Sequence, residues 1–357
     1  MTAGARALRI GTRGSELALW QARRVAELLA GQPGAPPVEL VRIRTEGDAR
    51  TDIPLWKVGG QAFFTREIDR AVRSGEVDAA VHSLKDLGTV LDEGFALTAV
   101  LEREDPRDAL LVRAGVGSRA QGAGAGVGEA AAESPLAQLP AGARVGTSSV
   151  RRRAFLARAR RDLQLLELRG NVPTRIDRLA EGRFDAIVLA AAGVKRLGLE
   201  RHITAYLPCR QFTPAVSQGA IGVVCRETDV ETARWLSALD DGPTRIETLA
   251  ERALLRRVEG GCQVPLGAVG RLRGGRLTLI ACVCAGDGSE SIAAEGEVEI
   301  GVEPASRTDT ARERAVRLGE DLAEELLAKG AGRIIAQQRA PAAVDPPSVV
   351  PPGVEPP

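Results

Sequence analysis

The sequence predicts an α/β protein of two similar lobes followed by a small α+β domain, and three observations predict it. Short apolar runs alternate with segments of helical period, as α/β layers require. Two short motifs recur in the same order: Arg9-Ile10-Gly11-Thr12 returns as Arg144-Val145-Gly146-Thr147, and Gly75-Glu76-Val77-Asp78-Ala79 returns as Gly182-Arg183-Phe184-Asp185-Ala186. After about residue 242 the pattern changes to helix, hairpin, strand and helix.

Ala7 to Thr12 reads as a strand. Ser15 is placed to cap a helix whose Ala18, Ala22, Val25 and Leu29 share one face, and Gly31 and Pro33 end it. Val41 and Ile43 alternate with charged residues, as in a strand. Residues 46–62 are polar and without period, long for a loop in a compact domain and a candidate lid. A helix from about Thr65 ends at Gly75, and a strand from Asp78 to Val81 runs into His82-Ser83-Leu84-Lys85-Asp86. Gly11 and Gly75 lie 64 residues apart, Gly146 and Gly182 only 36, so the first copy carries 28 more, the lid among them.

Between the copies, Ala114 to Ala141 is rich in Gly and Ala and reads as a flexible surface insertion. Gln211 to Gln218 is a connector, and Ile221 to Cys225 a strand that returns to the first lobe. A helix from about Thr244 to Val258 ends at Gly260-Gly261. A hairpin from Arg271 to Val283 turns at Gly274-Gly275, Glu290 to Ile300 supplies a strand, and Ala311 to Ala328 is a charged periodic helix. The expected boundaries are 1–103 plus about 219–238 for lobe 1, 104–213 for lobe 2, and 242–338 for the α+β domain. Residues 340–357 form a proline-rich tail expected to be disordered.

Composition excludes several function classes. The 357 residues are 44% hydrophobic, enough for a sizeable core. Lys and Arg number 48 and Asp and Glu 47, so no global field draws the chain to nucleic acid or membrane. Aromatics are 3%, too few for a base-stacking platform. Five scattered cysteines point to a reducing compartment, and two histidines without a Cys-x-x-Cys motif leave no recognisable metal site. No signal-peptide-like segment or membrane span is read, so a cytoplasmic protein is expected.

Local charge is informative. Residues 144–201 hold fourteen Lys or Arg against six Asp or Glu. Arg158, Arg160 and Arg161 read as a solvated helix face. The others fall where anions bind. Gly146-Thr147-Ser148-Ser149 ends a strand and opens a helix, offering hydroxyls and free backbone N–H groups. Arg151 and Arg152 follow in its first turn, where the helix dipole opposes cations and a local reason is needed. Arg169, Asn171 and Arg175 flank the next such turn, and Lys195 and Arg196 follow a further strand. Arginine forks at strand C-termini suit a ligand with several carboxylates or phosphates. On this reading, loss of Arg151 or Arg152 leaves the fold intact, and loss of Arg158 does little.

Lys85 and Asp86 end a first-lobe strand. Alone they read as a surface ion pair. Opposite an arginine-lined cleft, Asp86 becomes the carboxylate for acid–base or cation-stabilising work. His82 reads as a packed core histidine. Arg13 and Ser15 occupy the first copy's anion-binding turn. Cys262 reads first as a small buried hydrophobe, although Gly260-Gly261 before it make a tight exposed turn that leaves a reactive thiol open as well.

Ile10 to Ser15 with Leu17 to Ala22, His82 to Asp86, Val145 to Arg152, Leu168 to Val172 with Thr174-Arg175, Ala190 to Leu197, and Glu259 to Pro265 form an ordered set. Together they resemble the porphobilinogen deaminase (hydroxymethylbilane synthase) family over about residues 8–335. The resemblance implies two lobes like periplasmic binding proteins, with mixed sheets, and a C-terminal domain carrying a dipyrromethane cofactor on Cys262 through a thioether. Four porphobilinogen molecules are then deaminated and joined, and a linear tetrapyrrole is released. It implies a catalytic role for Asp86 with Lys85. Thr147, Ser148, Ser149, Arg151, Arg152, Arg169, Asn171 and Arg175 would join them in holding the cofactor. Arg13, Ser15, Gln21, Arg169, Arg175 and Arg196 would hold substrate. It also implies a monomer working on small molecules, without metal, membrane or nucleic acid.

This chain departs from the family pattern at Gly88, where Pro is usual, at Gln61-Ala62 in the lid, and at Ser217, where Gly is usual. The insertion is also longer than the family's. Two other readings remain open from residues alone. A non-catalytic two-lobed anion binder would need the arginines but neither Asp86 nor Cys262. A nucleic-acid binder would use the 144–201 stretch.

Overall fold

The computed structural model describes residues 6–45, 66–116, 134–258, 264–302 and 308–339. In chain order the strands and helices are β1 (Leu8–Thr12), α1 (Glu16–Ala30), β2 (Val38–Arg42), α2 (Arg66–Ser74), β3 (Ala79–Ser83), β4 (Phe95–Val100) and β5 (Asp108–Val112). Then come β6 (Arg144–Gly146), α3 (Val150–Ala159), β7 (Gln164–Leu166), α4 (Val172–Ala180), β8 (Ala186–Ala190), α5 (Ala191–Arg196) and β9 (Ala205–Leu207). The last third holds β10 (Ile221–Arg226), α6 (Val230–Ser237), α7 (Gly242–Arg257), β11 (Leu266–Arg273), β12 (Arg276–Cys284), β13 (Ser291–Glu299), α8 (Asp309–Ala328) and α9 (Ala331–Arg339).

The architecture is α/β, with two five-stranded mixed sheets and a third of three strands. The first sheet runs β2-β1-β3-β10-β4 and the second β7-β6-β8-β5-β9. In each, the second strand pairs parallel with its two neighbours and the fourth is antiparallel. The chain therefore crosses between the sheets twice, from β4 to β5 and from β9 to β10.

The sequence repeat is a repeated clasp. The Arg9 amide donates to Asp78 Oδ2 (2.9 Å) and its Nη2 to the Gly75 carbonyl (2.7 Å). The Arg144 amide donates to Asp185 Oδ2 (2.9 Å) and its Nη2 to the Gly182 carbonyl (3.0 Å). Both glycines are left-handed, with φ of 76° and 78°, which ends the preceding helix without a steric penalty. Ile10 pairs with Ala79 just as Val145 pairs with Ala186.

β11, β12 and β13 form an antiparallel sheet under α7 and α8. A Cβ on Gly319 would stand 2.2 Å from the Ala250 carbonyl oxygen, so glycine is what lets α8 press onto α7. Along β12, Leu277, Leu279, Ala281 and Val283 fill this domain's own core. Cys282 and Cys284, on the opposite face, join the core of the second lobe beside Phe155.

The insertion reading needs correction at its end. Residues 117–133 lie outside the described residues, but Pro135–Gln138 form a 3-10 turn, and Leu136 and Leu139 are buried in the second lobe. A single turn seating two leucines is too short to show a period. β4, β5 and α6 also escaped the sequence reading. The apolar residues of β5 are consecutive, which periodicity alone cannot assign, and α6 spans only 8 residues. The lid at 46–62, with Gln61, and the tail at 340–357 lie outside the described residues.

Candidate active site

β3 ends at Ser83, and the 3-10 turn Leu84–Asp86 follows, pinned by the fully buried Leu84. This sets Lys85 and Asp86 at the C-terminal edge of the first sheet. Asp86 lines a cleft with Arg13, Ser15, Gln21, His82 and Ser83. The Ser15 hydroxyl caps α1, accepting from the Ala18 amide at 3.3 Å. Gln21 is buried on α1 and donates to Ser83 Oγ at 2.9 Å, so helix and strand hold each other beside the aspartate.

His82 is buried as expected, and its Nε2 has no hydrogen-bond partner among the described residues. Burial, helped by the Arg13 charge, pulls it down to about 4, so it is neutral near pH 7. Burial likewise pulls Lys85 down to about 8, against the pull of Asp86, with Arg152 and Arg151 pushing the same way as burial. Those couplings place Lys85 within electrostatic reach of the second lobe's arginines. Its ammonium makes no hydrogen bond or ion pair among the described residues.

Arg151 and Arg152 stand in the first turn of α3, and the local reason for cations there is Asp108. Arg151 Nη2 donates to Asp108 Oδ2 (2.7 Å), and Arg152 Nε to Oδ1 (3.0 Å). Burial alone would raise the Asp108 carboxyl, but the two arginines reverse this and hold it at about 2. Arg151 also reaches the Thr213 carbonyl (2.7 Å), and Gln218 Nε2 donates to Asp108 Oδ1 (3.0 Å). The expectation that either arginine is dispensable to the fold is therefore corrected: both belong to a buried knot with the β9–β10 crossing. Arg151 Nε remains without a partner among the described residues. The solvated-face reading of Arg158 also fails. Its guanidinium lies 3.3 Å from Cys282 Sγ, donates to the Gln211 carbonyl and covers the Phe155 ring. Arg160 pairs with Asp162 and reaches the Leu136 carbonyl, while Arg161 is exposed.

The hydroxyls of the α3 turn chiefly build the turn. Ser149 caps α3, Ser148 donates to the Leu168 carbonyl, and the buried Thr147 Oγ1 accepts from the Ser149 amide at 3.3 Å. Asn171 caps α4, accepting from the Thr174 amide at 3.0 Å. Arg175 Nε donates to the Gly170 carbonyl (2.7 Å); burial first, then Arg152, brings it down to about 10. Arg169 adds to the same crowding of cations. Arg196 is turned to the crossing: its Nη2 donates to the Gly219 carbonyl at 2.6 Å and it lies over the Trp20 ring of the first lobe. Lys195 pairs with Glu104.

Lys85, beside Asp86, is thus coupled across the lobes to Arg152 and Arg151, Arg152 in turn to Arg175, and Arg13 shares the cleft of Asp86. Crowded cations that depress one another call for an anionic ligand. Sequence reading missed Ser83, Asp108 and Gln218. Ser83 lay within a noted motif, whereas nothing local marks Asp108 as the partner of arginines about forty residues away. Cys262 lies outside the described residues.

Two family models match the chain. One, described as "Porphobilinogen deaminase, dipyromethane cofactor binding domain", covers residues 8–234; the other, "Porphobilinogen deaminase, C-terminal domain", covers 245–328. The porphobilinogen deaminase of Pelobacter propionicus is 43% identical over 335 residues, 93% of this chain and 97% of that one. That of Desulforudis audaxviator is 45% identical over 333 residues, again 93% of this chain and 97% of that one. Among solved structures, the methionine binding protein MetQ matches 69% of this chain and 93% of its own at 13% identity and a TM-score of 0.40.

Proposed function

The chain belongs to the porphobilinogen deaminase family, and from that premise we propose how its own residues carry the reaction. The enzyme deaminates four porphobilinogen molecules, joins them head to tail on a dipyrromethane primer, and releases hydroxymethylbilane by hydrolysis. One observation supports the site assignment: Lys85, next to Asp86 at the end of β3, is coupled across the lobes to Arg152 and Arg151.

The residues present fit a polycarboxylate primer. Each pyrrole brings two carboxylates, and Lys85 has no other hydrogen-bond partner among the described residues. Lys85, Arg151, Arg152, Arg169 and Arg175 hold primer carboxylates, with Thr147, Ser148, Ser149 and Asn171 shaping the turns that present them. Arg13, Ser15 and Gln21 hold the incoming substrate beside Asp86, and Arg169, Arg175 and Arg196 complete that site. Cys262 carries the primer through a thioether, a reading supported by its place just after α7.

The primer, when bound, would supply the nucleophilic pyrrole carbon to which the first unit is joined, each later unit joining the one before it. At each joining the C–N bond of the substrate's protonated aminomethyl group breaks, ammonia departs, and a cation is left on the substrate. Asp86 stabilises that cation, which forms only on the way to the transition state. The neutral His82 matters here, because a second positive charge beside Asp86 would cancel part of its field. C–C bond formation then releases the pyrrole α-proton.

No described helix is long and apolar enough to cross a membrane. We place the enzyme in the cytoplasm as a monomer free of nucleic acid, a reading supported by its balanced charge and scattered cysteines. Asp86→Asn keeps the side chain's size and removes its charge. It should leave KM for porphobilinogen near the parent value and lower kcat by about a hundredfold or more. A kcat close to the parent's would end the assignment.

A further inference from the structure

Arg252 is a buried cation that the reaction does not use. It lies on α7 and is 9% exposed. No carboxylate pairs with it among the described residues. Its Nη1 donates to the Leu87 carbonyl at 3.1 Å, and its Nη2 to the Gly88 carbonyl. A buried guanidinium without an acid is costly unless its hydrogen bonds do something specific. Here both bonds fall on the two residues that follow Asp86.

We propose that Arg252 is a positioning residue for Asp86, clamping from the C-terminal domain the turn that presents the aspartate. The proposal rests on the assignment of Asp86 as catalytic. β3 fixes the start of the turn through its sheet hydrogen bonds, and Leu84 anchors it in the core. The end of the turn is held by the Leu87 amide on the Leu84 carbonyl (3.2 Å) and by the buried Leu87 side chain, but the next residue is a glycine with no side chain to pack. Arg252 fixes the carbonyls of both residues, which those contacts leave unbound. Burial, with Arg245 and Arg256 pushing the same way, brings Arg252 to about 10, so it stays charged at neutral pH and its two bonds stay charge-assisted. α7 ends at Arg257 and leads into residues 259–263, which include Cys262. One helix thus grips the catalytic turn and delivers the segment of the primer-bearing cysteine.

The test pairs Arg252→Met with a rescue inside the turn. Leu87 sits at φ −90° and ψ 133°, the conformation a residue before proline adopts. Gly88 is not among the glycines of positive φ, and its amide donates no hydrogen bond among the described residues, so Gly88→Pro costs no hydrogen bond and stiffens the same turn. Steady-state kinetics on the primer-loaded full chain should show kcat reduced about tenfold to a hundredfold in Arg252→Met, with KM changed by less than about threefold. Adding Gly88→Pro should recover most of the lost kcat. Should Arg252→Met fail to fold, Arg252→Lys keeps the charge but not the two-pronged grip, and should show a smaller kcat loss with the same rescue. Parental kcat in a folded Arg252 variant, or a loss that Gly88→Pro leaves untouched, would overturn the clamp. Asp86→Asn measured alongside separates the two claims: if it too turns over normally, the catalytic assignment has failed; if it is inactive while the Arg252 variants are normal, only the clamp has.

Discussion

Ser217 holds φ at 61°, the one non-glycine residue of positive φ among the described residues. A side chain there costs roughly 1–2 kcal/mol. Its amide is bound by Glu251 Oε2 at 2.6 Å, which locks the conformation, while its buried hydroxyl has no partner among the described residues. Glycine would remove the strain and the orphaned hydroxyl, at a chain-entropy cost of about 0.5–1 kcal/mol. Ser217→Gly should therefore gain about 1 kcal/mol, read as a higher urea midpoint with unchanged slope; a lower midpoint would refute the strain. This position was legible in the sequence as a departure from a glycine pattern, though not its sign of φ. The partners of Arg151 and Arg152 were not legible, because they arrive from distant strands. Charge density pointed to an anion-binding role for residues 144–201, but not to Asp108 taking part of that charge.

The clasp is the element that most repays comparison between the lobes. Arg144 bonds first, and the Arg144 amide and Arg113 as well, hold the Asp185 carboxyl at about 2, below its ordinary 3.8. A carboxyl depressed in the folded state contributes stability above its unfolded value, and that contribution is lost as pH falls towards the folded value. Asp185→Asn should be about 2 kcal/mol less stable than the parent near neutral pH, and the gap should close between about pH 4 and pH 2. A gap that stays constant across that window would show that the clasp is not ionic. The clasp was legible because both of its ends lie in short recurring motifs. The helix starts at Ser15 and Ser149 were legible for the same local reason, since each cap bonds within its own first turn. β4, β5 and the turn at Pro135–Gln138 were not, being too short or too uniformly apolar to carry a period.

At the scale of the whole molecule, Glu251 ties three parts together. Its carboxylate accepts from Arg103 on the β4–β5 crossing (2.6 Å), from the Ser217 amide on the β9–β10 crossing (2.6 Å), and from the Gly270 amide in the third sheet (2.7 Å). The C-terminal domain is thus fastened to both crossings, and through Arg252 to the turn of Asp86. The order of motifs made the family and the chemistry legible, and the returning strand placed β10 in the first sheet as expected. The fastening was not legible, since the bonds from Arg103 to Glu251 and from Arg252 to Leu87 join residues more than a hundred positions apart whose separate contexts are ordinary.

On the proposed function, this cleft builds tetrapyrrole on a primer held covalently by Cys262. The intact mass of the denatured full chain reads that attachment, because a thioether, unlike a disulfide, survives thiol reductants. The parent should exceed its sequence mass by one dipyrromethane with or without reductant, the addition should map to the peptide containing Cys262, and Cys262→Ser should lack both the addition and the activity. An unmodified chain that still polymerises porphobilinogen would rule out the covalent primer.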